Sequence, residues 1–382
     1  MTQEGAASGK LAAFKAVIES NLRLFGSGSA GLGSGGFTEE ITMKVRFSLV
    51  VLLAITCCVF ATIPAARAAS PIAPSACGGT APPNPYCGFE GTGTGVKIGA
   101  HSCSVVGACL SLANGVTIGS NSCNGPSACA TAGDTGGAAK IGNNACNNDG
   151  ACLGAGLDGS ATIADGSCDN YQACQYAGYA TTNTTKIGAN ACNGFQSCYE
   201  TGDYDGSSTI GTGSCPEDQS CYEAGEYGVS SIGPNSCLET QACYSAGYLG
   251  NSSVGSGSCN GDDYACYYVG YSGGSSSIAN NSCIGYSACY QSGYETGTIQ
   301  VAAGSCNGTY ACYEMSYDLT ANATIGKNSC IGDGACYYIT DGNSATVGNN
   351  SCDAYYACEV AAESGPANIG NHKCNSPEAC EG

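Results

Sequence analysis

The stretch Ile187-Gly188-Ala189-Asn190-Ala191-Cys192-Asn193-Gly194-Phe195-Gln196-Ser197-Cys198 sets a frame: an Ile, a Cys five residues on, and a second Cys six further. With Ile or Val in the first place, this frame occurs thirteen times between Val96 and the C-terminus. The first copy is Ile98, Cys103 and Cys109, and the last is Ile369, Cys374 and Cys380. One copy breaks step by a single residue, with Cys259 and Cys266 seven apart. The first Cys returns at intervals of 20 to 24 residues, and nearly all of the variation lies after the second Cys, where the next Ile or Val follows 9 to 13 residues on. Self-similarity at a fixed period marks a stacked-repeat architecture, and insertions confined to one loop are what a stack accommodates.

Within a copy the frame reads as strand, turn, strand, turn, strand. Thr209-Ile210 and Ser231-Ile232 are short and β-branched or small, which suits a strand. Two residues before the first Cys stands Asn or Gly in eleven of the thirteen copies, as at Asn121, Gly166, Asn235 and Gly257. These residues tolerate left-handed backbone angles, so a turn is expected there in coil after coil. His101 and His372, in the first and last copies, are the exceptions, and atypical terminal copies are what caps look like. The residue before the second Cys is Ala or Ser in every copy, from Ala108 to Ala379, which implies tight stacking on the next coil.

The fold class expected is therefore all-β: a parallel β-helix, or β-solenoid, of about 13 coils of about 22 residues. At roughly 4.8 Å per coil the stack would be about 60 Å long. A left-handed hexapeptide helix is the rival, but it wants its aliphatic residue every six positions; the right-handed form is the expectation. Residues 70–95 are Pro- and Gly-rich, carry Cys77 and Cys87 outside the frame, and read as an irregular N-terminal cap before the solenoid of residues 96–382.

Residues 43–69 read as a secretory signal peptide: a basic start at Met43-Lys44-Val45-Arg46, an apolar-to-small run from Phe47 to Ile63, and a small-x-small site at Ala66-Arg67-Ala68. Residues 1–42 are expected to be a misassigned start or a disordered leader, with a signal anchor as the alternative. Cys57 and Cys58 would leave with the leader, so 28 of the 30 Cys would remain, an even number that suits a fully paired secreted framework. Beyond Arg67 there is no Arg, and 26 Asp and Glu face five Lys, a net charge of −21. Such a surface excludes nucleic acid, which needs clustered Lys and Arg, and disfavours anionic membranes.

The segment Ala191-Cys192-Asn193-Gly194-Phe195-Gln196-Ser197-Cys198-Tyr199-Glu200 resembles a coil of the beetle β-helical antifreeze proteins over about half of its coil. By that resemblance Cys192 and Cys198 would be joined within their coil. So would Cys103 and Cys109, Cys123 and Cys129, Cys146 and Cys152, Cys168 and Cys174, Cys215 and Cys221, and Cys237 and Cys243. The same holds for Cys259 and Cys266, Cys283 and Cys289, Cys306 and Cys312, Cys330 and Cys336, Cys352 and Cys358, and Cys374 and Cys380. Cys77 and Cys87 complete the even count. A metal-binding repeat is the competing account, but zinc sites favour C-x-x-C pairs and commonly add His, of which the chain has two. No metal and no cofactor are expected.

The resemblance implies ice binding, which in that family uses two threonine columns flanking the first Cys. Here those flanks run Ser122 and Asn124, Ser214 and Pro216, and Ser236 and Leu238, so neither column is threonine. Polysaccharide cleavage is suggested only by the fold class, which licenses little. Glycoside hydrolysis needs two opposed carboxylates, and Asp203, Asp205, Asp262 and Asp263 read as solvated turn residues.

Tyrosine is the suggestive surface residue. It follows the second Cys in seven successive copies, at Tyr199, Tyr222, Tyr244, Tyr267, Tyr290, Tyr313 and Tyr337, the candidate binding face. A second set four or five residues later includes Tyr179, Tyr248, Tyr271, Tyr294 and Tyr317. Stacked, each set becomes a column, either packed inward or open to a sugar or protein partner. Six sequons, at Asn183, Asn251, Asn280, Asn307, Asn322 and Asn349, would fit a glycosylated surface. The expectation is a secreted, disulfide-stapled repeat scaffold: a monomeric, non-enzymatic, adhesion-like structural and interaction module at the cell surface or beyond it. It would meet an extracellular partner or glycan, without nucleic acid and without a membrane once the leader is gone. A carbohydrate- or ice-binding solenoid is the alternative, and a polysaccharide-active enzyme a more distant one.

Overall fold

A computed structural model describes residues 94–180, 183–293, 296–315, 321–340, 342–362 and 365–380. The leader, the signal peptide, most of the cap, Cys77, Cys87, Tyr294 and Tyr317 lie outside the described residues. Thirteen strands, from β1 (Lys97–Ile98) to β13 (Ala367–Ile369), form one parallel sheet in strict sequence order. The chain is a β-solenoid.

The register explains why one aliphatic residue per coil suffices. Ile187 of β5 (Thr184–Ile187) pairs with Ile210 of β6 (Ser207–Ile210), which pairs with Ile232 of β7 (Val229–Ile232). Alternation turns Ile187 and Thr185 inward and Lys186 outward. Parallel stacking thus converts a single sequence position into a continuous buried aliphatic column. Complete burial of one such side chain contributes about 1.5–3 kcal/mol.

Among the described residues each coil has one strand, not the three that the frame suggests. The other two segments cannot extend because their backbone is left-handed at three fixed places. The residue two before the first Cys has positive φ in every coil, and His101 (57°) and His372 (56°) conform as Asn235 (53°) does. The first Cys itself is left-handed in all thirteen coils, for example Cys192 at 57° and Cys237 at 55°. So is the residue two before the second Cys, such as Gln196 at 49°. Non-glycine residues seldom adopt this region, and a strand cannot pass through it. Outside the sheet, among the described residues, pairing is reduced to the isolated bridges Ile284–Asn307 and Asn307–Ile331.

These turns are held by their neighbours. The Cys192 N–H donates to Ser214 O of the following coil at 3.0 Å, and the Cys198 N–H donates to Ala173 O of the preceding coil at 2.7 Å. The loop between the two cysteines is therefore tied in both axial directions. Thirteen disulfides close these loops, from Cys103–Cys109 to Cys374–Cys380, and the seven-residue separation of Cys259 and Cys266 is accommodated. A loop of about seven residues yields about 2.4 kcal/mol per bridge by chain entropy, comparable to the buried Ile it accompanies. The residue before the second Cys is buried from Ala108 through Ala357, consistent with the close approach of successive backbones.

A second staple is polar. Ser102, Ser122, Ser167, Ser214, Ser236 and their successors, each just before the first Cys, are fully buried. Ser236 Oγ donates to Gly255 O of the next coil at 2.8 Å and accepts the Ser258 N–H at 3.3 Å. At the position after the first Cys, Asn or Asp stands in eight of the thirteen copies: Asn193 Oδ1 accepts the Asp169 N–H at 3.0 Å and its Nδ2 donates to Gly166 O at 3.0 Å. Both columns flanking the Cys are thus engaged in joining coils.

Candidate functional site

The column after the second Cys is a ladder of seven tyrosines. From Tyr199 through Tyr222, Tyr244, Tyr267, Tyr290 and Tyr313 to Tyr337, successive ring centroids lie 4.8–5.4 Å apart with planes within 11° of parallel. The flanking positions Ala242 and Ala246 are buried while Tyr244 is half-buried. The column is neither a packed stripe nor an open face. Its rings cover one another's faces, and the hydroxyls of Tyr199 and Tyr313 donate to Glu200 and Glu314. Offset stacks of this kind contribute about 0.5–1.5 kcal/mol per pair beyond area burial.

The second column contains Tyr248 and Tyr271, stacked at 5.2 Å, and extends backwards through Tyr227 and Tyr204, which stack at 4.7 Å. Tyr227 meets Tyr248 edge-on at 5.5 Å. Tyr179 packs edge-on against Tyr176 at 5.6 Å.

Between the two columns lies a group of carboxyls. Left-handed residues two after the second Cys place Glu200 and Glu223 in register on successive coils. Three residues further on, Asp203 and Glu226 repeat the alignment. Oxygens of Glu200, Glu223 and Glu226 all lie within 4.8 Å of one another. In the coil before, the corresponding places are held by Tyr176 and the neighbouring Gly178-Tyr179; in the coil after, by Ser245 and Tyr248. The acidic patch is therefore two coils deep and bordered by phenols.

Burial governs its electrostatics. Glu226 and Asp203 are each 5% exposed. Burial pushes the Glu226 carboxyl up to about 8, with the charges of Glu223, Glu200 and Asp203 adding to the rise. Burial and then Glu200 raise Glu223 to about 7 against a hydrogen bond from the Ser245 hydroxyl. Asp203 rises to about 7 by burial, opposed by the Tyr204 N–H that its Oδ1 accepts at 2.6 Å. Glu200 is raised by burial and held back by the Tyr199 hydroxyl that donates to it. Further along, Glu314 is likewise raised by burial and accepts from Tyr338 and Tyr313.

Asp203 is thus not the solvated turn residue that its loop position suggests, whereas Asp205 and Asp262 are exposed. The signal that identifies the patch is present in the sequence, in acids two and five residues after the second Cys of consecutive copies, but it emerges only when offsets are read down the stack. Sulfurs of Cys198, Cys215 and Cys221 also cluster, yet all three belong to disulfides and offer no thiolate. Of the sequons, Asn183 is buried with Nδ2 donating to Gly202 O and Tyr204 O, while Asn251, Asn280, Asn322 and Asn349 are exposed.

Fold and site together define a disulfide-stapled β-solenoid with a tyrosine and carboxyl face. A family profile described as a domain of unknown function (DUF7640) matches residues 177–270 and again 271–381, over half of the chain, and the chain belongs to that family. Searches of curated proteins and of solved structures found no match.

Proposed function

We propose that this chain is a secreted structural and interaction module, acting outside the cell or at its surface, with the tyrosine ladder as its docking face. The observation that carries this reading is the register of seven half-buried rings on one rigid support. Tyrosine supplies large amphipathic contact area at little entropic cost, and here much of that cost is met in folding. Because the ring faces are covered, a sugar cannot stack on them; the half-buried ladder offers ring edges and those hydroxyls that Glu200 and Glu314 do not engage. An extended partner lying along the stack, a polypeptide or a hydroxyl-rich polysaccharide, matches that row. The acidic surface favours a neutral or basic partner. Thirteen disulfides suit an oxidising compartment. The reading requires neither catalysis nor a cofactor.

The test compares the oxidised chain with a Tyr222→Ser, Tyr244→Ser, Tyr267→Ser variant on glycan arrays and on extracts of the producing organism's surface. The disulfide count by mass establishes that both are folded. Retention by the parent and loss by the variant support the docking face. Equal retention of both would assign the ladder to coil packing alone.

A further inference from the structure

We propose that Glu200, Glu223 and Glu226, with Asp203 beside them, bind a divalent cation of the calcium type. Oxygens of the three glutamates lie within 4.8 Å of one another, a span that fits ligands of one Ca²⁺ held at about 2.3–2.6 Å. The donor set is oxygen only, which selects a hard cation over zinc or copper. A second observation separates this group from an ordinary acidic surface. The Glu226 side chain is 5% exposed, faces Glu223 and Glu200, and its carboxyl accepts no hydrogen bond among the described residues. The other three each have a donor: Tyr199 for Glu200, Ser245 for Glu223 and the Tyr204 N–H for Asp203.

A carboxylate this deeply buried, with no protein donor, is costly, and like charges around it increase the cost. A bound cation resolves both. It also spans the boundary between two coils, Glu200 and Asp203 on one and Glu223 and Glu226 on the next, and so acts as an axial staple where the disulfides act within a coil. Glu200 and Glu223 are half-buried, so the ion has a route to solvent. This inference uses the carboxyl patch alone and stands independently of the docking role proposed for the ladder.

The probe is Tb³⁺, whose emission is sensitised by nearby tyrosine, added to the oxidised full chain and then displaced with CaCl₂. Saturable emission is expected, displaced by Ca²⁺ with an apparent Kd of about 0.1–1 mM, the range of extracellular modules. Glu223→Gln with Glu226→Gln should abolish that emission, and Asp262→Asn, at an exposed carboxyl elsewhere, should leave it intact. Calorimetric titration of the unaltered chain with CaCl₂ supplies a reading that needs no variant. Emission that survives the double substitution, or a chain that takes up no Ca²⁺ and melts identically in CaCl₂ and in chelator, overturns the proposal.

Discussion

The Ser236 N–H donates to Ser214 Oγ at 3.2 Å, and that same hydroxyl donates to Gly233 O at 2.8 Å. One buried side chain thus satisfies a donor and an acceptor of the following coil. Ser214→Ala removes both partners and should destabilise this boundary by about 1–3 kcal/mol. The lower end is expected, since the frame already accepts Ala145 and Ala191 at this place. Native-state hydrogen exchange at the Ser236 amide checks it, because repeat stability is local. Unchanged exchange would show that the hydroxyl is dispensable.

Replacing Cys237 and Cys243 together by Ser should cost about 2–3 kcal/mol. The loss should be confined to their coil and its neighbours, because each coil contacts only those beside it. Limited proteolysis followed by mass mapping should find new cleavage near residues 237–243, with the distant Cys103–Cys109 and Cys352–Cys358 coils still resistant. Uniform sensitivity along the chain would mean that the solenoid is one cooperative unit.

Tyr244 stacks on Tyr222 at 4.8 Å and on Tyr267 at 4.9 Å. Tyr244→Ala, which removes both contacts, should therefore destabilise by about 1–3 kcal/mol. Tyr244→Phe keeps the ring and should cost far less. Denaturant melting followed by near-ultraviolet dichroism compares the two, and equal losses would place the stabilisation in the hydroxyl instead of the stack.

Alkali should loosen the same ladder. Burial, followed by nearby carboxylates and phenols, raises Tyr244 to about 12, and burial with Tyr227 raises Tyr204 to about 12. An unfolded tyrosine ionises near 10. Between about pH 10 and 12 the unfolded chain releases phenolic protons that the folded chain retains, so stability falls as pH rises through that window. Absorbance at the phenolate band should show the folded chain titrating later than the urea-unfolded one. Coincident curves would remove burial as the cause.

Asn235 has φ of 53° at a place that Gly213 and Gly257 occupy in the adjoining coils. Asn235→Gly should be nearly neutral, whereas Asn235→Val should cost about 1–2 kcal/mol through backbone strain. Thermal midpoints of the two variants measure the difference, and a neutral Val would contradict the left-handed turn.

Much of the architecture is readable in the chain because a solenoid repeats its sequence in step with its structure. The Ile-to-Cys spacing revealed the coil, and Asn and Gly before the first Cys revealed one left-handed turn. Cys is not a residue whose presence announces positive φ, so the conformation of Cys192 and its equivalents, and with it the loss of two expected strands, was not legible. Nor was the direction of the flanking columns, since Ser214 points inward while the Asn193 position braces the neighbouring backbone.

Sequence by itself determined the period, the parallel stack and the alignment of like residues into columns, because one residue pattern recurring at a nearly fixed interval can bury its apolar positions only against its own copies. What tertiary structure decided is which way each column faces and which columns meet. The tyrosines cover one another's faces, and Asp203 becomes buried beside Glu226, because left-handed turns set the direction of each side chain and coil spacing sets its neighbours. Neither quantity is carried by residue identity along one dimension.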